Sequence, residues 1–413
     1  MERRVDNEGM NEPSPAPPRA DAGPRVQAHW RLAIDLLTLM RLTPRPLRAD
    51  LAKHLGISTG TMTDLVTRLV GHGLLEERPA PAEGRGRPST WLAAHAGGPL
   101  VAVLDIGAET WRAGVAGLAG EPEVLASGTV TPGRGTETVR AIREAVVAII
   151  EEHAERLTVM SASIAGTLRG SVVVDFAPLR WNGLDLTDLA AGLPLVCGND
   201  ATLAGLAEVR RGAAVSASTA VHVLVLSGPG GGLCIDGVPA VGATGAGAEF
   251  GHLPFGTPGV LCAWGATGCW TVDLGGPALA KAWGIGRPSS EAGGDAPGDI
   301  ERVDVRLRGL RGAGPHVVRD AIASLAKGTA GLVNALDPDV VTIGGLAIPL
   351  RAADPALFDR LFRAGLMQHR LAYPPAVTDA VFGADGPLTG AVELGLDAAL
   401  TASVLEQWVA ARA

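Results

Sequence analysis

Two apolar strands, each running into a glycine turn and then into a second apolar strand, limit what this chain can fold into. Val101–Asp105 enters the turn of DIGAET and continues as Trp111–Val115. Val221–Leu226 enters SGPGGG and continues as Gly232–Ile235. Strands and helices alternate from about Pro99 to the end, which is an α/β pattern. A duplicated strand–turn–strand unit in that setting predicts two similar lobes with their glycine turns facing one cleft. Such turns cradle phosphate through backbone N–H groups, or do no more than join strands. Glycine is abundant enough for many close backbone approaches, at 56 of 413 residues against a usual ~7%.

A different pattern precedes the repeat. Residues 1–24 are polar and proline-rich and are expected to be disordered. Ala33, Leu36, Leu37 and Met40 then fall at i, i+3, i+4 and i+7, one apolar helix face. Pro44 and Pro46 break it. Leu47–Leu55 reads as a short helix, Gly56-Ile57-Ser58 as a tight turn, and Thr59–Val70 as a third helix capped by Ser58. Met62, Val66, Leu69 and Val70 are expected on its buried side. Leu74–Arg78 and Thr90–Ala93 read as paired strands around the loop Pro79–Pro88, which contains GRGRP. Helix, helix, turn, helix and basic hairpin predict a winged helix-turn-helix over residues 25–95. Thr59, Thr61, Thr63 and Asp64 then start the recognition helix and reach base edges. Arg68, Arg85 and Arg87 are expected at phosphates, the two wing arginines alternatively in the minor groove.

Charge agrees with that division. Residues 1–95 hold 13 Lys+Arg and 11 Asp+Glu, net +2, so the remainder carries −10 of the chain's −8 total. A basic module on an acidic body predicts nucleic-acid contact at one end. No apolar run reaches the ~18 residues of a membrane span. Four cysteines (Cys197, Cys234, Cys262, Cys269) are too few for a disulfide scaffold in 413 residues, and a reducing cytoplasm is the expected compartment.

Between the repeats, Leu195–Asn199 reads as a strand and Ala201–Arg211 as a helix. Asp200 lies at the junction, where clefts of open sheets form. It serves there as a helix cap, or as a carboxylate that accepts a hydroxyl hydrogen bond or removes its proton. Further on, Glu249, His252, Cys262 and Cys269 fall within 21 positions. His with spaced Cys suggests zinc, which takes four N or S ligands in structural sites. Only three are local, and a pair of buried free thiols reads equally well.

The ordered pieces DIGAET, IAGTL, APLRW, GNDATLAGLAE, SGPGGGLCIDG, AEFGH, CAWGATGC and NALDPDVVTIGG together resemble the ROK family (repressors, open reading frames and sugar kinases) over about residues 30–400. The resemblance implies an N-terminal winged helix-turn-helix followed by a two-lobed actin-like sugar-kinase fold over residues 96–413. Lobe 1 would take about 98–212 with a C-terminal helix at about 389–411, and lobe 2 about 213–388. It implies a sugar pocket containing Asn199, Asp200, Glu249 and His252, with Asp200 the catalytic base if the chain is a kinase. It also implies a zinc site with His252, Cys262 and Cys269 as ligands. Here the family's middle thiolate is Trp264 and its final sugar-binding Glu is Thr271, so the metal site lacks a ligand. Packing of Trp264 is expected to hold that loop instead. The family's first phosphate motif, DxGGT, reads Asp105-Ile106-Gly107-Ala108-Glu109. Ala108 adds a Cβ and Glu109 a negative charge where phosphate would sit. ATP is therefore not expected as a cofactor. The expected function is a sugar-responsive DNA-binding regulator, a homodimer or homotetramer on operator DNA. The alternative is a ROK-type hexose kinase.

Overall fold

The computed structural model describes residues 24–43, 45–79, 90–176, 180–262, 264–285, 298–310 and 314–412. The disordered tail assigned to residues 1–24 and the wing arginines Arg85 and Arg87 lie outside the described residues, Pro24 excepted.

Three helices open the described chain: α1 (Pro24–Leu42), α2 (Arg48–His54) and α3 (Thr59–Gly71). Ala33, Leu36 and Leu37 of α1 are buried as the spacing predicts. Gly56, at φ +65°, makes the turn between α2 and α3, a conformation that favours glycine. Ser58 caps α3, its hydroxyl accepting from the Thr61 amide at 3.1 Å, which satisfies a free N-terminal donor. Met62, Leu65, Val66 and Leu69 form the buried stripe of α3. Val70, expected inside, is exposed. The stripe Met62, Leu65, Val66 and Leu69 spans about 100° of the helix, and position 70 falls about 40° past its edge at Val66. Strands β1 (Leu75–Pro79) and β2 (Thr90–Ala94) then pair antiparallel.

Two five-stranded sheets carry the rest. The first comprises β3 (Leu100–Ile106), β4 (Thr110–Gly117), β5 (Pro122–Thr129), β6 (Leu157–Ile164) and β10 (Leu195–Asn199), ordered β10-β6-β3-β4-β5. The second comprises β11 (Thr219–Val225), β12 (Pro229–Ile235), β13 (Val238–Pro239), β14 (Val340–Gly345) and β15 (Ala376–Asp379), ordered β13-β12-β11-β14-β15. In both, the first three strands are antiparallel neighbours and the last two add parallel to the first. The duplicated hairpin in the sequence is thus the centre of a duplicated sheet. A small sheet of β7 (Thr167–Arg169), β8 (Val172–Asp175) and β9 (Leu184–Asp185) flanks the first.

Helix α4 (Gly135–His153) packs on β3–β5. The second lobe carries α6 (Gly276–Ala282), α7 (Asp299–Arg308), α8 (His316–Leu336), α9 (Ala347–Ala353), α10 (Pro355–Gly365) and α11 (Gln368–Ala372). Between the sheets run α5 (Asp200–Arg211) and α12 (Gly386–Ala399). They touch backbone to backbone: a Cβ on Gly390 would collide with the Leu203 carbonyl. The single C-terminal helix expected at 389–411 is in fact two, α12 and α13 (Ala402–Ala410), bent by 74°. No glycine or proline marks that break; Thr401 stands at the N-cap position of the new helix in extended backbone, without a side-chain capping bond.

The N-terminal module does not hang free. Its core (Trp30, Leu36, Met62, Leu69) is continuous with Val101 and Val159 of the first sheet and with Leu396, Leu405 and Trp408 of the C-terminal helices. Trp30 donates to Glu406, and the Trp408 indole donates to the His72 carbonyl at 3.1 Å. Beneath that contact Arg41 of α1 meets Glu393 of α12, Nε to Oε2 at 3.3 Å, both side chains fully buried. Glu393 also takes Arg211 of α5 at 2.9 Å, while Asp397 bridges Arg41 (2.8 Å) and Arg210 (3.0 Å). Among the described residues no single helix is long and apolar enough to cross a membrane.

Candidate functional site

A cavity of about 380 Å³ lies beyond the C-terminal ends of the central strands of both sheets. Ligands of open α/β sheets bind at such strand ends. From the first sheet it is lined by Asp105, the turn Gly107–Thr110 and Arg112, from the second by Leu226 and Gly345. Gly345 has φ +60°, and a Cβ there would strike the Val225 carbonyl; only glycine brings the backbone this close.

Asp200 lies on the cavity wall, at the first position of α5. The cap of that helix is its neighbour. Asn199 Oδ1 accepts from Ala201 N (3.0 Å) and Thr202 N (3.1 Å), and its amide donates to the Gly166 carbonyl at 3.3 Å. One residue on, Thr167 donates to Glu249 at 3.2 Å. The Gly166-Thr167 corner of IAGTL therefore gathers Asn199, Asp200 and Glu249. Thr167 was not among the residues singled out from sequence, although its motif was. Burial pushes the Asp200 carboxyl up to about 7, and the charges of Asp105 and Glu249 push the same way. A carboxylate poised there accepts a proton from a bound hydroxyl near neutral pH. The shift also makes a prediction. A carboxyl raised from 3.8 to about 7 contributes stability that is complete below about pH 4 and lost as pH rises through 7. Asp200→Asn should therefore gain stability relative to wild type at pH 8 but not at pH 4, by a few kcal/mol at ~1.4 kcal/mol per pKa unit. Thermal unfolding at the two pH values checks it; an equal change at both would contradict it.

The first glycine turn is occupied by its own side chains. Asp105 and Arg112 stand opposite each other across the β3–β4 hairpin and pair at 2.8 Å, and Arg112 also holds Asp385. Glu109 reaches across the cleft: its carboxylate accepts from the Ile300 amide at 3.1 Å, at the start of α7. Gly298 sits so close that any side chain there would meet this carboxylate. A carboxylate at a helix N-terminus takes the place an anion would take. Burial raises the carboxyls of Asp105 and Glu109 alike, opposed by Arg112 at the first and by the Ile300 amide at the second. The repulsion expected from Glu109 on sequence grounds is thus accompanied by a bridge between the lobes. Nothing local to DIGAET signals that bridge, since its partner is 191 residues away.

His252, Cys262 and Cys269 do converge, their ligand atoms all within 4.8 Å of one another. His252 Nδ1 lies 3.6 Å from Cys262 Sγ, and the Trp264 amide points to the same sulfur at 3.4 Å. Among the described residues no fourth His, Cys, Asp or Glu joins them. Trp264 sets its ring against His252, centroids 4.8 Å apart and tilted 62°, and is itself 50% exposed. The expected packing of the loop on this indole is therefore partial, with the His252 ring as one partner. Two thiolates and an imidazole do not complete the tetrahedral set of a structural zinc site. Thr271, in the place of the family's final acid, lies against Gly228 of the second glycine turn.

At the other end of the molecule, Thr59, Thr61, Thr63 and Asp64 are exposed on α3, and Arg68 is half-buried one turn later.

Comparison with known proteins follows the same division. The ROK family model matches residues 101–398. A glucokinase of Streptomyces coelicolor is 30% identical over 260 residues, 59% of this chain and 80% of that protein. A kanosamine kinase of Amycolatopsis mediterranei is 30% identical over 59% of this chain and 78% of its own length. Among solved structures, a ROK family glucokinase from Streptomyces griseus in complex with glucose and AMPPNP covers 71% of the chain and 98% of its own, at 26% identity and TM-score 0.58. A ROK family transcriptional regulator, a homolog of the E. coli MLC protein, covers 91% of the chain and 99% of its own, at 20% identity and TM-score 0.66.

Proposed function

The chain belongs to the ROK family, and within it we propose a DNA-binding transcriptional regulator whose cleft takes a sugar and whose α1–α3 module grips operator DNA. One observation carries this reading. The helix-turn-helix module leaves the first turns of α3 exposed and is welded to the ROK body by the buried Arg41–Glu393–Arg211 ion pairs. The extent of the structural likeness supports it: the regulator structure covers 91% of the chain and the kinase structure 71%. Helix α5 supplies the connection. Its first turn holds Asn199 and Asp200 at the cleft, and its last turn holds Arg210 and Arg211 in the joint with α1. A sugar that moves the start of α5 moves the seat of the DNA module, which changes the spacing of two recognition helices in a dimer or tetramer. Carbohydrate metabolism is the process such a sensor serves.

Two observations favour the kinase reading: the buried Asp200 carboxyl poised as a base, and sequence relatives that are sugar kinases. Against it stands Glu109 in the phosphate turn. Fluorescence anisotropy with genomic promoter fragments, with and without hexoses, separates the two. DNA binding that weakens steeply with salt is expected, because phosphate contacts release counterions. Arg85→Ala with Arg87→Ala should lower affinity for all sequences and flatten the salt slope. Salt-independent binding would contradict it.

The Cys–His cluster makes a separate prediction. With three donors and an indole, protein dialysed against a chelator should retain well under one zinc per chain. One full equivalent after dialysis would show that Trp264 does not exclude the metal.

A further inference from the structure

The exposed half of α3 lacks the side chains that most often read bases. Between Ile57 and Thr67 there is no Arg, Lys, Asn or Gln. The bidentate contacts to guanine and to adenine need those forks. Thr59, Thr61, Thr63, Asp64 and Thr67 are exposed instead.

Two of these threonine hydroxyls are already committed. Thr63 Oγ1 donates to the Thr59 carbonyl at 2.8 Å, one turn back along the helix. Thr61 Oγ1 lies 2.9 Å from Ser58 Oγ, which also accepts the Thr61 amide. With Oγ1 turned onto its own helix, the staggered Cγ2 methyl is the group each side chain presents outward. Asp64, one residue past Thr63 and between the two threonines in direction around the helix, offers acceptors only. Arg45 and Lys53, exposed on and before α2, carry charge for phosphates, contacts that position a protein without specifying sequence.

Resting on the DNA-binding reading above, we propose that α3 recognises thymine 5-methyl groups through the methyls of Thr61 and Thr63, with Asp64 accepting from a cytosine 4-amino group. Threonine methyl against thymine methyl and carboxylate against cytosine N4 are the major-groove pairings these residue types make. The operator half-site then contains thymines flanking a cytosine, and guanine contributes nothing to affinity through this helix.

Deoxyuridine tests the proposal cleanly, since it removes the 5-methyl and keeps every hydrogen-bonding edge. Full-length protein first selects its sites from a random duplex library. Thymines of the selected site are then replaced one at a time by deoxyuridine. At two positions per half-site affinity should fall about fourfold, the factor for one buried methyl at ~0.8 kcal/mol. Thr63→Ser keeps the back-bonded hydroxyl and loses only the methyl. It should show the same fourfold loss and become insensitive to deoxyuridine at one of the two positions. Asp64→Asn should exchange the preferred cytosine for adenine. Affinity unchanged within 1.5-fold by deoxyuridine at every thymine would overturn the methyl readout while leaving DNA binding intact. Failure to select any sequence would overturn the DNA-binding reading and this inference together.

Discussion

Glu393→Ala should destabilise the protein by about 3–5 kcal/mol, because it leaves buried guanidinium groups without their counter-charge. Glu393 is fully buried and is shared by Arg41 and Arg211. Burial raises its carboxyl, and the two arginines oppose that shift. Arg41→Ala should cost less, about 1–3 kcal/mol, since Glu393 keeps Arg211. It should nevertheless loosen the N-terminal module, whose other polar ties include the indole bonds of Trp30 and Trp408. Urea unfolding gives the stability change, and limited proteolysis between residues 79 and 100 reports the loosening. A change under about 0.5 kcal/mol for Glu393→Ala, the range of ordinary surface substitutions, would mean that the ion pairs do not form the joint.

Phosphoryl transfer from ATP to any hexose should be slower than in an ordinary kinase by about three orders of magnitude. Kinase turnover is ~1–100 per second, and catalysis is mostly positioning and charge stabilisation. On the regulator reading, Glu109 sets a carboxylate in the turn that the resemblance assigns to phosphate. One like-charge pair at 4 Å costs about 4 kcal/mol at an effective dielectric of ~20, about a thousandfold in binding. The double replacement Ala108→Gly with Glu109→Thr removes both the Cβ and the charge and releases the α7 N-terminus. It should bind a fluorescent ATP analogue at least tenfold more tightly than wild type. Equal binding by both proteins would show that Glu109 is not what excludes nucleotide.

Much of this architecture was legible because its signals are local. The apolar runs Val101–Asp105 and Val221–Leu226 are central strands of the two sheets, and both hairpins follow where the glycine turns predicted. Ser58 caps α3 because a hydroxyl before a helical stripe satisfies a free amide. Three of the four residues expected in that helix's core are buried, Val70 being the exception. The convergence of Asn199, Asp200 and Glu249 follows from the resemblance; Thr167, which ties Glu249 to the corner, does not.

What stayed hidden depends on distant partners. The pairing of Glu109 with Ile300, and of Arg41 with Glu393, joins residues that no periodicity relates. The bend at Leu400-Thr401 has no glycine or proline to mark it. That Trp264 stays half-exposed is likewise a tertiary outcome: an indole in a loop packs only where the fold brings it a surface, and here His252 is what it meets.

Sugar in the cleft and DNA on the α1–α3 module should be coupled through α5 and the buried ion pairs. Operator affinity of the full-length chain, on DNA selected by the protein itself, should be titrated with and without the hexose that most raises its melting temperature. Affinity should change at least fivefold, the lower end of ordinary allosteric coupling. Glu393→Gln, which weakens the joint beneath α1, should abolish that change. A hexose that binds the cleft and leaves operator affinity the same in the wild-type protein would contradict it.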